Sequence, residues 1–363
     1  MTIVQFEHRP GLLDLGWGHP RPELLPVDAW SRAGAQTLGT YGWQALAYGH
    51  ATGPAPLVDW LCDHLGDATA EQTFVTAGAS HGLALLTQLL AEPGDVVLVD
   101  SPTYHLAFKI LTDHGVRLVR APADEHGLLP AETAALARSL DAVFLYLVPT
   151  FGNPTGRSLP LDRRRELVSV GVPIVEDDTY RELSYGEPAP PALWRLAGEE
   201  GVVRLGSFAK TVAPGLRLGW INASPILVER LARLGYVHSG GGVNHAVALT
   251  MASFGASGAY DRHVAGLREA YREQRDALTG ALRVPAPDGG WFVWLRLPDG
   301  VDAEALLPVA EEHGTSFLPG PVFYAGGGAG SEHVRLSFSH LPPAGLAEAA
   351  ARLTAAIDAA AGR

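Results

Sequence analysis

Short apolar runs alternate with amphipathic segments through the middle of the chain. The segments between the runs repeat apolar residues at helical spacing, which predicts helices near residues 80–90, 104–113, 131–139 and 162–168. Apolar strands separated by helices are typical of a mostly parallel sheet that is covered on both faces. The sequence therefore predicts an α/β domain. The runs that predict its strands cover residues 73–76, 96–99, 116–119, 142–148, 173–176, 202–205 and 218–221.

The two ends of the chain have different patterns. Residues 9–30 are rich in proline and glycine, which predicts an extended arm rather than a helix, with a tight turn at residues 16–18. A long amphipathic helix is expected over residues 257–282, and a smaller α+β domain after it. The predicted elements of that domain are strands at 289–297, 315–318 and 333–338 and helices at 303–312 and 343–360.

Composition narrows the classes of protein that this chain could be. A chain of 363 residues that is 47% hydrophobic and 18% charged is typical of a soluble globular protein with one large and one small domain. The net charge of −12 argues against a nucleic-acid partner. No apolar window predicts a membrane span, and residues 1–8 lack a signal-peptide pattern, so a cytoplasmic location is expected. The only cysteine, Cys62, excludes an internal disulfide, and the scattered histidines do not favour a metal site.

Lysine is almost missing from the chain, which draws attention to the two that remain. Lys109 and Lys210 stand against 25 arginines. Arginine keeps its proton in proteins, whereas a lysine amine can become neutral and act as a nucleophile. Lys210 lies in a segment that also holds Ser207 and Arg217, which are anion-binding groups. This combination suits a Schiff base with a phosphate-bearing aldehyde, and the alternative is a loop lysine paired with a carboxylate.

Small and aromatic residues follow the first two predicted strands. Gly78, Ala79 and Ser80 lead directly into a helix, whose free N–H groups and dipole favour a phosphate. An ordinary helix cap by Ser80 explains the same residues. Tyr104 follows the next strand, where a flat side chain could stack on a heteroaromatic ring. The alternative for Tyr104 is a place in the core.

Polar residues follow the later strands. Asn153 precedes a proline, which holds it extended with its amide free for a ligand oxygen, unless it is only a turn residue. Asp177 ends a buried strand and would need a cation, such as a protonated pyridine nitrogen. Tyr180 could reach a phenolate-type oxygen. The alternative is that Asp177 and Asp178 are solvated loop carboxylates. The order of these groups along successive strand ends favours pyridoxal 5′-phosphate.

With these residues in place, the chain resembles the fold-type I pyridoxal-phosphate enzymes of aminotransferase class I/II. It looks most similar to the branch of 2-aminoadipate and aromatic aminotransferases, from about Leu13 to the final helix. The motifs that carry the resemblance are residues 153–156, 176–180 and 207–220. The resemblance implies an N-terminal arm and part of the small domain at residues 1–47, a large cofactor-binding domain at 48–284, and the rest of the small domain at 285–363.

The resemblance also implies a role for each candidate residue. Lys210 would form the Schiff base and carry a proton between the substrate Cα and the cofactor, and Arg335 would bind the substrate α-carboxylate, unless it only makes a salt bridge. Tyr48 would reach the phosphate of a neighbouring subunit, which implies a homodimer with shared active sites. The other implied cofactor contacts are Asp177 to the pyridine nitrogen, Asn153 and Tyr180 to the ring oxygen, Tyr104 to the ring face, and Gly78, Ala79, Ser80, Ser207 and Arg217 to the phosphate.

The substrate pocket departs from the family pattern. Gly18 matches a backbone position that lines the pocket, but Trp17 stands where a small glycine is usual and His19 where an apolar residue is common. Tyr41 and Asn244 are further pocket candidates. The expected activity is amino transfer between an L-amino acid and a 2-oxo acid, with the amino acid left open. The alternatives are elimination, cyclisation or decarboxylation on the same cofactor, or a non-catalytic sensor domain, although no DNA-binding element is expected ahead of Leu13.

Overall fold

A computed structural model describes residues 9–198 and 201–362, so the segment 1–8, on which the signal-peptide prediction was made, lies outside it. No helix in the described ranges is both long and apolar enough to cross a membrane. The helices are α1 (Val27–Tyr41), α2 (Ala55–Leu65), α3 (Ala79–Leu90), α4 (His105–Thr112), α5 (Pro130–Leu140), α6 (Leu161–Leu167), α7 (Leu193–Ala197), α8 (Pro225–Ala232), α9 (His245–Ala256), α10 (Ala259–Leu282), α11 (Ala303–Glu312) and α12 (Pro343–Ala360). The strands are β1 (Leu13–Asp14), β2 (Thr73–Thr76), β3 (Val96–Val99), β4 (Arg117–Arg120), β5 (Ala123–Asp124), β6 (Gly127–Leu128), β7 (Phe144–Leu147), β8 (Ile174–Asp177), β9 (Val202–Ser207), β10 (Gly219–Asn222), β11 (Phe292–Arg296), β12 (Thr315–Ser316), β13 (Leu318–Pro319) and β14 (His333–Ser337).

A twisted sheet forms the centre of the large domain. Within the described residues its seven strands run in the order β2-β10-β9-β8-β7-β3-β4. All neighbours pair in parallel except β10, which is antiparallel to both β2 and β9. Every residue of β3, β7, β8 and β9 is buried, as strands covered on both faces should be. The predicted α/β fold with a mostly parallel sheet is confirmed.

The small domain is built on a second, antiparallel sheet. Its strands follow the order β11-β14-β13. Helix α12 packs against the long helix α10, against α11 and against the short strands β1 and β12. The N-terminal arm joins this domain, because β1 pairs in parallel with β12 through Leu13 and Thr315. The predicted strand at 315–318 is therefore two short strands with different partners. The positions of the domain boundaries remain predictions.

The prediction that residues 9–30 contain no helix is wrong. A 3-10 turn covers Pro22–Leu24, and α1 begins at Val27, directly after Pro26. Proline disrupts a helix when it stands in the helix interior, but it is compatible with the first turn and with the position before that turn. Proline content alone therefore did not exclude a helix here. The chain bends at residues 15–16 instead of turning at 16–18. Helix α1 packs against α9, where Thr37 Oγ1 and Ser253 Oγ lie 2.8 Å apart.

Candidate active site

The candidate residues of the large domain meet at the carboxyl edge of its sheet. Asp177 is the last residue of β8 and Ser207 the last of β9, and these two strands pair in parallel, so both side chains emerge at the same edge. Lys210 follows β9 by three residues. Ligands of open parallel sheets bind beyond this edge. The topology therefore brings together residues that are far apart in the chain.

Lys210 is partly buried in an aromatic environment. Its Nζ lies 4.5 Å from the ring centroid of Trp291 and 5.7 Å from that of Tyr180. Burial lowers the pKa of Lys210 to about 8, with Arg335 and Arg217 acting in the same direction and Asp177 opposing them. A lysine with this pKa has an appreciable neutral fraction at neutral pH, and the neutral amine is the nucleophile.

Asp177 is buried with one of its carboxylate oxygens unsatisfied. Its Oδ2 accepts a hydrogen bond of 2.9 Å from the hydroxyl of Tyr146, whereas Oδ1 has no hydrogen-bond partner in the described structure. Burial raises the pKa of Asp177, and the bond from Tyr146 opposes that rise. A buried, half-satisfied carboxylate is costly unless a cation or a donor meets it. The solvated-loop alternative for Asp177 and Asp178 does not hold, because both are buried.

An anion cradle lies where β2 leads into α3. Gly78 caps the helix with φ +97°, and the N–H groups of Ala79 and Ser80 begin its first turn. A Cβ on Gly78 would lie 2.9 Å from Nη2 of Arg217, so glycine allows that guanidinium to come close. Arg217 itself donates to the carbonyl of Ala77 at 3.2 Å. Helix N–H groups and an arginine around one space can hold a phosphate.

Arg335 is a buried cation without an acidic partner among the described residues. Only 3% of it is exposed, and Nη1 donates to Asn153 Oδ1 at 2.9 Å and Nη2 to the carbonyl of Gly16 at 2.7 Å. The guanidinium carbon lies 4.2 Å from the ring centroid of Phe292 and 5.1 Å from that of Phe323. Burial lowers the pKa of Arg335 to about 10. Because its Nε has no hydrogen-bond partner, this site can take a carboxylate.

A buried arginine supports the loop that carries Asn153. Arg164 belongs to a run of three arginines that the sequence places on a helix face, yet its side chain is fully buried. Its Nε donates to the carbonyl of Leu159 at 2.7 Å, and its Nη2 donates to the carbonyl of Pro149 at 2.5 Å and to Thr150 Oγ1 at 3.0 Å. The backbone on both sides of Asn153 is therefore fixed by hydrogen bonds to one guanidinium.

Two tyrosines complete the wall of the site. Tyr180 is buried edge-on against Trp291 at 5.9 Å and Phe292 at 5.8 Å, and burial raises its pKa. Tyr104 precedes α4 and lies close enough to Tyr180 to contribute to that rise. Ser207 is buried at the end of β9, where its Oγ accepts from the N–H of Ala209 at 3.1 Å.

The N-terminal arm adds an aromatic cluster beside Arg335. The ring of Trp17 lies 5.2 Å from that of His340, and the ring of His19 lies 6.1 Å from His340. Gly18 faces Phe292, because a Cβ there would lie 3.2 Å from Cζ of that ring. We call Trp17, His19 and His340 the aromatic cluster.

Three sequence candidates lie in other settings. Tyr48 is 91% exposed, so its ring does not pack against the cradle or against Arg335 of this chain. Asn244 is the N-cap of α9, where its Oδ1 accepts from the N–H of Val247 at 3.1 Å. Tyr41 is the last residue of α1. The contact of Tyr48 with the phosphate of a neighbouring subunit remains a prediction.

Comparison with known proteins decides the family. The model of the family "Aminotransferase class I and II" matches residues 10–353. The chain belongs to this family. The aminotransferase is 36% identical to the 2-aminoadipate transaminase of Thermus thermophilus, over 98% of this chain and 92% of the relative. It is 31% identical to the aromatic-amino-acid aminotransferase 1 of Thermococcus litoralis, over 98% and 90%.

Solved structures of related enzymes share the fold of this aminotransferase. One is LysN, the α-aminoadipate aminotransferase of Thermus thermophilus, complexed with N-(5′-phosphopyridoxyl)-L-leucine, with a TM-score of 0.87 at 33% identity over 97% of this chain and 94% of that chain. Another is the kynurenine aminotransferase of Pyrococcus horikoshii, with a TM-score of 0.88 at 28% identity over 96% and 91%. The predicted fold type and activity are thereby confirmed.

Pyridoxal 5′-phosphate is the cofactor of this aminotransferase, and the described residues fit it. The unsatisfied Oδ1 of Asp177 suits a protonated ring nitrogen, and the start of α3 with Arg217 suits the phosphate. Lys210, with its lowered pKa, suits the aldehyde. No group of three or more histidine, cysteine, aspartate or glutamate residues in the described ranges could hold a metal ion.

Several residues of the site escaped the sequence analysis. Tyr146 lies within an apolar run, so its bond to Asp177 could not be distinguished from core packing. His340 lies three residues past the end of the strand that carries Arg335, and only that position in the sequence could have marked it. Trp291 had a usable signal, because it follows Gly289 and Gly290, whose missing side chains let the backbone approach Phe151 closely.

Proposed function

We propose that Lys210, Asp177 and Arg335 form the reaction centre of this aminotransferase, and that its preferred amino donor is an L-amino acid with an aromatic side chain. Two neighbouring side chains support the first part. Lys210 has a lowered pKa, which allows a neutral amine, and the carboxylate of Asp177 has one oxygen without a hydrogen-bond partner. The aromatic cluster supports the second part. We also propose a cytoplasmic location, which rests on the sequence pattern alone.

The cofactor contacts follow the groups that the structure brings together. Bound pyridoxal phosphate supplies an electron-withdrawing ring that takes up the electron pair left when the substrate Cα–H bond breaks. Asp177 keeps the ring nitrogen protonated, and Arg217 and Ser207 hold the phosphate with the start of α3. The remaining assigned contacts are Gly78, Ala79 and Ser80 to the phosphate, Asn153 and Tyr180 to the ring oxygen, and Tyr104 to the ring face.

Lys210 has two tasks in this proposal. Its amine would hold the cofactor aldehyde, and its free amine would carry the proton between the substrate Cα and C4′ of the cofactor. General bases work best when their pKa lies near the working pH, and burial brings the pKa of Lys210 to about 8. The rings of Trp291 and Tyr180 limit the water around Nζ.

Arg335 orients the substrate through its α-carboxylate. Its Nη1 and Nη2 are fixed by Asn153 and the carbonyl of Gly16, and its Nε has no partner. Phe292 and Phe323 flank the guanidinium and strengthen its attraction for an anion by excluding water. The substrate is thereby held with its Cα toward the carboxyl edge of the large sheet.

The aromatic cluster favours a planar side chain over an acidic one. Trp17 and His340 present rings 5.2 Å apart, which suits stacking or edge contacts with a third ring. A side-chain carboxylate would need an additional cation in this region. Arg21 is the arginine that follows Trp17 in the arm, and it pairs with Glu23 at 3.3 Å. Binding of an acidic side chain is therefore expected to be weak.

Steady-state transamination tests this substrate preference. With 2-oxoglutarate as acceptor, we expect kcat/KM for L-phenylalanine or L-tryptophan to exceed that for L-2-aminoadipate by roughly tenfold or more, as glutamate formation will show. Trp17→Gly should lower the ratio of kcat/KM for the aromatic donors to kcat/KM for L-2-aminoadipate by roughly tenfold. It should change kcat/KM for L-leucine little. A preference for 2-aminoadipate would overturn the aromatic assignment, and ammonia or carbon dioxide without glutamate would favour elimination or decarboxylation.

We also infer a homodimer with shared active sites. A short segment after α1 exposes large apolar side chains: Trp43 is 77% exposed, Leu46 75% and Tyr48 91%. A cluster of this kind in a soluble enzyme marks a contact surface. The segment touches α9, and the π-helical turn before α9 brings Gly240 within reach of the Tyr48 ring. A second copy that covers this surface would bring its Tyr48 toward the phosphate cradle.

Charge in the exposed segment should separate the subunits. Trp43→Glu is expected to weaken the dimer by roughly 30-fold or more, since buried tryptophans dominate interfaces. Sedimentation velocity across a dilution series measures the change. Ile226→Glu serves as the control, because Ile226 on α8 is equally exposed, at 73%, but lies outside the segment. A wild-type protein that sediments as a monomer would contradict the dimer.

A further inference from the structure

Both backbone polar groups of Ala77, the residue just ahead of the phosphate cradle, form hydrogen bonds with side chains. Its carbonyl accepts a hydrogen bond of 3.2 Å from Nη2 of Arg217. Its N–H donates to Nδ1 of His81 at 3.0 Å. The following residue, Gly78, has a positive φ of 97°. The direction of the N–H groups after it therefore depends on how the backbone of Ala77 is fixed.

His81 is suited to be a permanent acceptor. Because Nδ1 accepts from Ala77, the proton of the neutral ring lies on Nε2, which is buried without a hydrogen-bond partner. The ring stands edge-on to Tyr236, with centroids 6.0 Å apart. Burial lowers the pKa of His81, and Arg217 acts in the same direction, so the ring stays neutral and keeps its acceptor nitrogen.

We propose that His81 is a positioning residue for the cofactor phosphate: by accepting the Ala77 N–H, it fixes the loop whose N–H groups and whose bound arginine receive the phosphate. This inference rests on the phosphate contacts assigned under the proposed function. Helix N-termini bind anions well only when the N–H groups already point at one place, because ordering them on binding costs affinity. Without His81, the partly buried Ala77 N–H would lose its hydrogen-bond partner, which favours a rotation of the loop toward another acceptor.

The expected effect lies in cofactor affinity. For the full-length protein stripped of cofactor, the dissociation constant for pyridoxal phosphate is measured by equilibrium dialysis. His81→Leu should raise this constant roughly tenfold, the scale of one unsatisfied buried hydrogen-bonding group. His81→Gln offers a neutral carbonyl acceptor and should stay within about threefold of wild type. His126→Leu, an exposed histidine in the turn between β5 and β6, should leave the constant unchanged.

Pyridoxal, which lacks the phosphate, separates a local effect from a general one. His81→Leu should bind pyridoxal as well as wild type does, since Lys210 and Asp177 are intact. An equal loss for both aldehydes, or an unchanged constant for pyridoxal phosphate, would overturn the inference. If His81→Leu does not fold, His81→Met carries the same expectation without an acceptor nitrogen. Wild-type protein that takes up no pyridoxal phosphate would overturn the proposed function instead.

Discussion

Replacing Lys210 with alanine is expected to lower kcat for amino transfer by roughly four orders of magnitude, because both the point of covalent attachment and the proton carrier are lost. The protein should still fold, since the Lys210 side chain makes its described contacts with ring faces rather than through hydrogen bonds. Single-turnover kinetics with a saturating amino acid measure the loss. Activity within tenfold of wild type would contradict the assignment of Lys210.

The rarity of lysine makes the attachment point easy to verify. After borohydride reduction of the cofactor-loaded enzyme, mass spectrometry of peptides should place the cofactor mass on Lys210 in the wild type and on neither lysine in Lys210→Ala. Lys109 is the matched control: it is 77% exposed at its side chain and pairs with Asp113 at 3.0 Å. Lys109→Arg should keep full labelling and full activity. Labelling of Lys109 alone would show that the reactive amine was misassigned.

The pH dependence of attachment follows from the same residue. The pKa of Lys210 is lowered to about 8, chiefly by burial, and the neutral amine is the attacking form. The rate of uptake should therefore rise about tenfold per pH unit below pH 8 and level off above it. An unperturbed lysine, with a pKa near 10.4, would keep accelerating for about two further units. Stopped-flow absorbance at limiting pyridoxal phosphate distinguishes the two curves.

Asp177→Asn is expected to lower kcat by roughly a thousandfold while the cofactor still binds. An asparagine keeps the shape and can still accept the 2.9 Å bond from Tyr146, but it brings no negative charge to the ring nitrogen. Losing one partner of a buried ion pair costs about 3–5 kcal/mol, which corresponds to this range of rate. The measurement is kcat at saturating cofactor and substrate, together with a titration of cofactor binding.

Asp178 provides the matched control for this change. It is also buried and lies next to Asp177, but its carboxylate pairs with Arg181. Asp178→Asn should lower the free energy of unfolding and leave kcat of the folded, loaded enzyme within about threefold. Equal losses in kcat for the two variants would mean that Asp177 acts through general packing rather than through its charge.

The parts of the site that sequence predicts well are those that end strands. Asp177 and Ser207 could be placed because a parallel sheet sends all its carboxyl ends to one edge, so order along the chain gives proximity in space. The apolar runs that mark the strands are local signals, and the predicted strand of residues 73–76 is confirmed residue by residue. Local pattern and global topology agree in this half of the molecule.

The parts that sequence does not predict depend on contacts between distant segments. Trp291 approaches Lys210 only because the small domain folds back onto the large one, and no spacing in the chain encodes that approach. The hydrogen bond from the Ala77 N–H to His81 spans only four residues, yet the histidine is indistinguishable from any other polar residue on the first turn of a helix. Helix α1 was missed because its start is dominated by prolines that lie just outside it.

The three-way junction at Arg335 has a practical consequence for anyone who shortens this chain. One guanidinium ties together β14, the loop of Asn153 and the carbonyl of Gly16, and the segment before Gly16 is anchored by β1. A chain shortened past Gly16 would keep the residues that are assigned to the vitamin-derived coenzyme. It would lose the carbonyl that holds Arg335 in position for the substrate carboxylate. We expect such a shortened protein to take up the coenzyme but to transfer amino groups poorly.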